Sequence, residues 1–321
     1  MSCNAHLCDV IGALQLEEIA TTQKRTELMF LVTGATGSLG RRVVRHLREQ
    51  GKPVRGFVRL LSRYGELEDR GAEIFIGDLR NDKDIAKACQ GVDYIISAHG
   101  SDNDAQALDY RANIELIDQA KANDVKHFVY ISVLGVDRGY EDAPVFKAKR
   151  EVEKYLIASG LNYTILRPSG FANNLLPLAE RFRDTGFYLL IGDPKNRSSI
   201  VSTDDLAKIA IDSVSVEGAK NQIFAVGSPE ILTRETIPMI FSKVFNQEPI
   251  VINVPLFVLD GVRSGVGFIN PQFQRSLGTL RTLLANEFFC TPDEIATVES
   301  VYNINLETLE NFIRRYLGGR Q

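Results

Sequence analysis

The chain has 321 residues, of which 44% are hydrophobic and 24% charged; that apolar share supports a sizeable core and excludes a disordered chain. A formal net charge of −4 gives no electrostatic case for nucleic acid as a partner. No apolar run approaches the roughly 18–20 residues that cross a bilayer, so any membrane association is expected to be peripheral. Residues 1–28 lack the basic segment and apolar core of a secretory signal. They read as a dispensable tail with one short helix over Ala13 to Ala20, ahead of a fold that begins at Met29. Cys3, Cys8, Cys89 and Cys290 show no metal-ligand spacing, which predicts free thiols in a reducing cytoplasm and no metal site.

The stretch from Met29 to Arg41 organises the rest. Phe30 to Thr33 reads as a buried strand. The strand breaks at Gly34, and a helical pattern runs on to Glu49. Gly34, Gly37 and Gly40 then have separate tasks: a tight turn, a close backbone approach to a pyrophosphate, and close helix–strand packing. Phosphates at such a bend sit on free N–H groups at the positive end of a helix. Gly34, Thr36, Gly37, Ser38, Leu39 and Gly40 are therefore the expected contacts of a dinucleotide.

A second strand, Pro53 to Val58, ends at Arg59. An acidic residue here would hold a ribose 2′-hydroxyl. A guanidinium suits a 2′-phosphate instead, with Arg41 and Arg63 as candidate neighbours, so the expected cofactor is NADP(H). The competing reading is a solvated surface arginine.

The third strand, Ala72 to Ile76, closes on Gly77-Asp78-Leu79. Asp78 is placed to accept from an adenine amino group and Leu79 to pack on the ring. The fourth strand, Val92 to Ala98, leaves Ser97 and Ala98 facing the ribose and nicotinamide. A helix over Ala105 to Asn123 and a fifth strand, Lys126 to Ser132, come next. A helix from Pro144 to about Ser159 stops at Gly160, and the sixth strand is Asn162 to Pro168. Strands alternating with helices predict a doubly wound parallel α/β sheet of Rossmann type, with its ligand crevice at the strands' carboxyl ends.

Beyond Gly170 the pattern changes. Helical stretches are expected over Leu175–Asp184, Asp204–Ser213, Arg234–Phe245, Ser276–Asn286 and Leu306–Leu317. Strands are expected near Phe187–Ile191 and Gln222–Val226, and Pro255–Val262 is left open. With no linker and no repeat, residues 29–170 form the expected nucleotide-binding core. Residues 171–321 form a smaller C-terminal lobe interleaved with it, shaping a substrate pocket.

Two residues fall where catalysis is plausible, Ser132 at the end of the fifth strand and Lys149 on the helix after it. Lys149 and Glu153 are four apart and share a helix face, which fits an ordinary surface pair equally well. Tyr140 reads as a loop aromatic, either reaching inward or solvated. Asn173 and Asn174 read as substrate contacts or as caps of the next helix, with capping preferred.

These residues together resemble the NmrA-like, atypical short-chain dehydrogenase/reductase family over about residues 29–320. The likeness rests on Thr33–Gly40, Val58-Arg59, Gly77–Leu79, Phe128–Ser132, Lys149–Leu156, Gly160–Pro168 and the closing segments Phe289–Asp293 and Leu306–Phe312. It implies NADP(H) binding, with Lys149, Pro168 and Phe171 near the nicotinamide and Lys149 with Ser132 in catalysis. Carbonyl-reducing members of the superfamily carry a tyrosine four residues before the lysine; here that position is Val145. Either Tyr130, Tyr140 or Lys149 itself serves as the acid, or no hydride is delivered.

The leading expectation is an NADP(H)-dependent oxidoreductase on a small, partly apolar substrate. The alternative is a non-catalytic regulator or photosystem assembly factor that keeps the cofactor site and binds a protein partner. That branch would lie peripherally on the stromal side of a thylakoid. A sugar-nucleotide epimerase needs the same missing tyrosine and is the weakest reading.

Overall fold

The computed structural model of the protein describes residues 28–100, 104–140, 143–267 and 271–318. The helix anticipated over Ala13 to Ala20 lies outside them. Strand β1, Phe30–Thr33, is buried at all four positions, and helix α1, Ser38–Glu49, leaves it through the glycine bend. Leu39, Val43, Val44 and Leu47 form the buried stripe of α1, at the spacing that keeps one helix face on the sheet.

β2 (Val54–Val58), α2 (Gly65–Asp69), β3 (Glu73–Ile76), α3 (Asp82–Ala88) and β4 (Tyr94–Ser97) come next. The helix expected over Ala105 to Asn123 has two parts, a π-helical turn at Ala105–Arg111 and α4 at Ala112–Ala122. Then come β5 (His127–Ile131), α5 (Pro144–Ala158) and β6 (Tyr163–Pro168).

The main sheet has seven strands in the order β3-β2-β1-β4-β5-β6-β9, every adjacent pair parallel. β9 is Gln222–Val226, so the chain returns to the sheet well after residue 170. The order reverses between β1 and β4, and that is where a doubly wound sheet opens its crevice. One apolar layer packs α1 and α7 (Thr203–Asp212) on one face. The other face carries α3, α4 and α5.

The remaining elements build the lobe: α6 (Leu176–Thr185), β7 (Phe187–Ile191), β8 (Arg197–Ser198), β10 (Leu232–Thr233) and α8 (Thr236–Phe245). After them come β11 (Ile250–Val254), α9 (Leu256–Gly267), α10 (Pro271–Ala285) and α12 (Leu309–Leu317), while α11 (Pro292–Tyr302) packs with α1 and α7 on the main sheet. β7 and β11 form a separate two-stranded parallel ribbon whose Phe187, Leu189, Ile250 and Ile252 face solvent.

Helix α11 is not among the elements that the sequence pattern predicts. Thr291 caps it with a complete capping box closed by Glu294, and Pro292 occupies the first turn. The stretch left open at Pro255–Val262 is the start of α9, and β11 is likewise unanticipated.

An ionic hub ties the lobe to the dinucleotide half. Asp204, at the start of α7, accepts from Arg42 Nε at 2.9 Å, Arg45 at 3.2 Å, Arg315 at 2.8 Å and the Tyr316 hydroxyl at 2.7 Å. Arg42, in turn, donates to Asn173 Oδ1 and Tyr316, each at 2.9 Å. Asn173 therefore holds Arg42 and does not cap the next helix; α6 has no side-chain cap at all. Burial pushes the Asp204 carboxyl up, but hydrogen bonds from Tyr316 and Arg315 and the charges of Arg42 and Arg315 outweigh it and hold it below the usual aspartate value.

Because its folded value lies below the unfolded one, Asp204 contributes stability that is complete above the ordinary carboxylate range and fades as pH falls through it. Asp204→Ala is expected to lower stability by about 3 kcal/mol, as for breaking a buried ion pair. Urea denaturation at neutral pH would measure it, and repeating the titration toward acid should show the difference from wild type shrinking.

Candidate functional site

Gly34 adopts φ +66°, the left-handed region that glycine enters without cost. A Cβ there would lie 2.8 Å from Ala98 O and from the Cα and N of His99. At Gly40 a Cβ would collide with the Gly34 carbonyl oxygen. Gly37 N donates to Gly34 O at 2.9 Å and closes the bend. Gly37 is also the N-cap of α1 and offers no side-chain acceptor, so the first N–H groups of that helix remain free for an anion.

A cavity of about 420 Å³ runs from this bend along the carboxyl ends of β1, β2 and β4. Gly34, Thr36 and Gly37 form its floor, and Arg59, Asp78 and Leu79 its outer wall. Ala98, His99, Gly100, Asp104 and Leu108 close the inner end. The exposed Arg59 guanidinium makes no ion pair among the described residues, whereas Arg41 is engaged by Glu66 at 3.0 Å. Asp78 is half exposed beside Arg80, and Asn81, not Asp78, caps α3.

Other anticipated contacts stand further back. Ser38 opens α1 and is half-buried, while Leu39 is packed in the core. Ser97 is 1% exposed and donates to Asn113 Oδ1 at 2.6 Å, so its side chain lies behind the cavity wall and does not face into it. Pro168 is buried at the end of β6, and half-buried Phe171 bridges to Val201.

Lys149 is a buried residue and no surface ammonium. Its Nζ donates to Ile131 O at 2.9 Å, lies 3.7 Å from Asp109 Oδ1 and sits over the Tyr130 ring, 5.2 Å from its centroid. Burial pulls its pKa below the usual lysine value, with the charges of Asp109 and Glu153 opposing. Glu153 does not pair with Lys149; it takes a two-pronged contact from Arg167 at 2.6 and 3.0 Å. The surface-pair reading of Lys149 and Glu153 is therefore corrected.

Ser132 is buried, and its Oγ has no hydrogen-bond partner among the described residues. Tyr130 is fully buried, and desolvation, with Asp109 and Glu153 nearby, raises its phenol well above the ordinary value. Tyr140 is half-buried edge-on against Phe146 and tilted against Phe288, which corrects the solvated reading.

Sequence reasoning missed His99. Thr33 Oγ1 meets its Nδ1 at 2.8 Å and Leu108 O its Nε2 at 2.9 Å. Burial lowers its pKa to about 4, so the ring is neutral near pH 7. Its one available signal was position: it falls two residues past Ser97, at a strand's carboxyl end.

A glycine bend between a buried strand and an open helix N-terminus, at the reversal of a parallel sheet, defines a dinucleotide-binding protein of Rossmann type. The chain belongs to the NAD(P)H-binding family, whose model matches residues 34–216, more than half of its length. Nucleotide binding on a Rossmann-type sheet is what the motifs implied. Among its relatives is the photosystem II assembly factor Ycf39 of Cyanophora paradoxa, 26% identical over 301 residues that cover 90% of this chain and 92% of that protein. An NAD(P)H azoreductase of Xenophilus azovorans is 33% identical over 64% of this chain and 70% of its own. Among solved structures, the NADPH-dependent quinone oxidoreductase QOR2 of Escherichia coli, in complex with NADPH, superposes with a TM-score of 0.73. It is 21% identical, with 90% of this chain and 99% of that one covered.

Gly34→Ala is expected to cost about 1–3 kcal/mol, since it forces a side chain into a left-handed backbone already in contact with a neighbouring strand. A thermal melt against wild type would show the loss, and an unchanged midpoint would remove the steric account of the bend.

Proposed function

We propose that this protein binds NADPH in preference to NADH and acts as an NADP(H)-dependent oxidoreductase of the NmrA-like group on a small, partly apolar substrate. The observation that carries the cofactor preference is Arg59, exposed on the cavity wall at the end of β2 and in no ion pair among the described residues. The free N–H groups after Gly37 would hold the pyrophosphate, Arg59 the 2′-phosphate, and Asp78 and Leu79 the adenine. Ala98, Pro168 and Phe171 would lie toward the nicotinamide. When bound, NADPH supplies a hydride.

The protein's own part is orientation and charge. A lysine ammonium has three donors. In Lys149 one is spent on Ile131 O and a second points toward Asp109, which leaves the third for a ribose hydroxyl or a substrate oxygen. Its positive charge would stabilise negative charge developing on a substrate. Val145 has no ionisable proton, and the phenol of Tyr130 is sealed away, so Lys149, with its lowered pKa, is the group nearest to the role of acid. The name of the azoreductase relative supports a reductive activity of this kind, and the free thiols of Cys89 and Cys290 fit a reducing cytoplasm as its place.

A second reading is an NADP(H)-dependent assembly factor. It is supported by the Ycf39 relatives and by the solvent-facing apolar ribbon of β7 and β11, a surface suited to a protein partner. In that case the protein would work peripherally on the stromal side of a thylakoid. No helix among the described residues is long and apolar enough to cross a membrane.

Calorimetric titration with both nucleotides tests the cofactor assignment. Arg59→Ala should weaken NADPH by about tenfold, equivalent to ~1.4 kcal/mol, and leave NADH unchanged. Equal affinity of wild type for the two would overturn it. Consumption of NADPH with a panel of quinones, enals and aryl ketones, lost in Lys149→Ala, supports the oxidoreductase. Tight binding without consumption, together with a co-purifying protein, supports the assembly factor.

A further inference from the structure

Leu108 belongs to two structures at once. It lines the cavity beside Gly34 and Ala98, and its carbonyl accepts a hydrogen bond from His99 Nε2 at 2.9 Å. A carbonyl has no proton to give, so Nε2 carries the hydrogen and Nδ1 accepts from Thr33 Oγ1 at 2.8 Å. His99 thereby bridges the last residue of β1 to the middle of the π-helical turn Ala105–Arg111.

The next residue along that turn is Asp109, wholly buried, with its carboxylate 3.7 Å from Lys149 Nζ. Asn113 braces the same turn from below, donating to Asp109 O at 2.9 Å while its Oδ1 accepts from Ser97. A π-turn is wider than an α-turn by one residue and needs outside ties to persist. Relaxing it to α geometry would rotate the adjoining residues by about 100° and carry Asp109 away from the lysine.

We propose that His99 is a positioning residue of this site: its 2.9 Å bond to the Leu108 carbonyl, shorter than the 3.3 Å bond that Asn113 Nδ2 makes to the same oxygen, keeps the π-turn wide and Asp109 on Lys149. The inference rests on the cavity being the NADPH site, with Lys149 at the nicotinamide ribose. It predicts that the two halves of the cofactor depend on His99 unequally. The adenosine half meets Arg59 and Asp78, neither of which His99 touches, and the backbone of the glycine bend, which the His99 imidazole meets only through the Thr33 hydroxyl. The nicotinamide half meets Lys149, which His99 sets through Asp109.

Two probes separate the halves: NADPH, and adenosine 2′,5′-bisphosphate, which carries only the phosphorylated adenosine end. His99→Leu should weaken NADPH by about tenfold and leave the bisphosphate within about twofold of wild type. His99→Gln keeps an N–H for Leu108 and an oxygen for Thr33, and should recover most of the NADPH affinity. Asp109→Asn, with His99 intact, should reproduce the selective loss and serves if His99→Leu does not fold. Unchanged NADPH binding in His99→Leu and Asp109→Asn would overturn the inference and leave the cofactor reading standing. So would equal loss of both probes without rescue by glutamine. Wild type that binds neither probe brings down the cofactor reading and this inference together.

Discussion

Three stretches of backbone meet at the exit of β1, and no side chain fits between them. The bend at Gly34 touches the chain after β4, and α1 crosses the same bend at Gly40. That contact fixes how far α1 stands from the sheet, where its free N–H groups point and where the cavity floor lies. The buried stripe from Leu39 to Leu47 holds the helix down, but its height is set by the absence of two methyl groups. Cofactor geometry here is a consequence of backbone packing, and the ionic hub at Asp204 then locks α1 against the lobe.

The interior beyond His99 obeys a different logic. Lys149, Asp109, Glu153 and Arg167 are charges placed largely out of water, in opposite-signed neighbours. Such pairs contribute little net stability against an apolar alternative, because desolvation offsets their attraction. Their value is positional: a buried ammonium with a fixed carboxylate cannot wander. The arrangement keeps the lysine of the reductase pattern while the tyrosine of that pattern is absent from α5, where Val145 stands. The fold thus preserves an oriented, buried charge on α5 independently of the proton donor usually found with it.

Much of the first half is legible in the sequence because its signals are local. Short apolar runs locate β1 to β6, and the spacing of Gly34, Gly37 and Gly40 is enough to mark the bend. The failures share a cause: they depend on what tertiary neighbours do to a short stretch. β11 is five residues long and half solvated, so it lacks the run of buried positions that marks β1. Glu153 looks like the partner of Lys149 from helix spacing, and only the fold brings Arg167 to it instead. Ser97 stands at the carboxyl end of β4, where the cavity opens, yet its hydroxyl is turned to Asn113 behind the wall. His99 carries no motif, and its importance arises from the π-turn opposite it, a distortion that no periodicity announces.

Arg42 and Tyr316 hydrogen-bond across 274 residues of chain. During synthesis, therefore, α1 emerges well before α12 and goes without that restraint until α12 has left the ribosome. Domains otherwise assemble in the order in which they are made. Here an early helix waits for its last tie on a late one, so a nascent chain arrested before Tyr316 would hold Arg42 on Asp204 and Asn173 but without the Tyr316 hydroxyl.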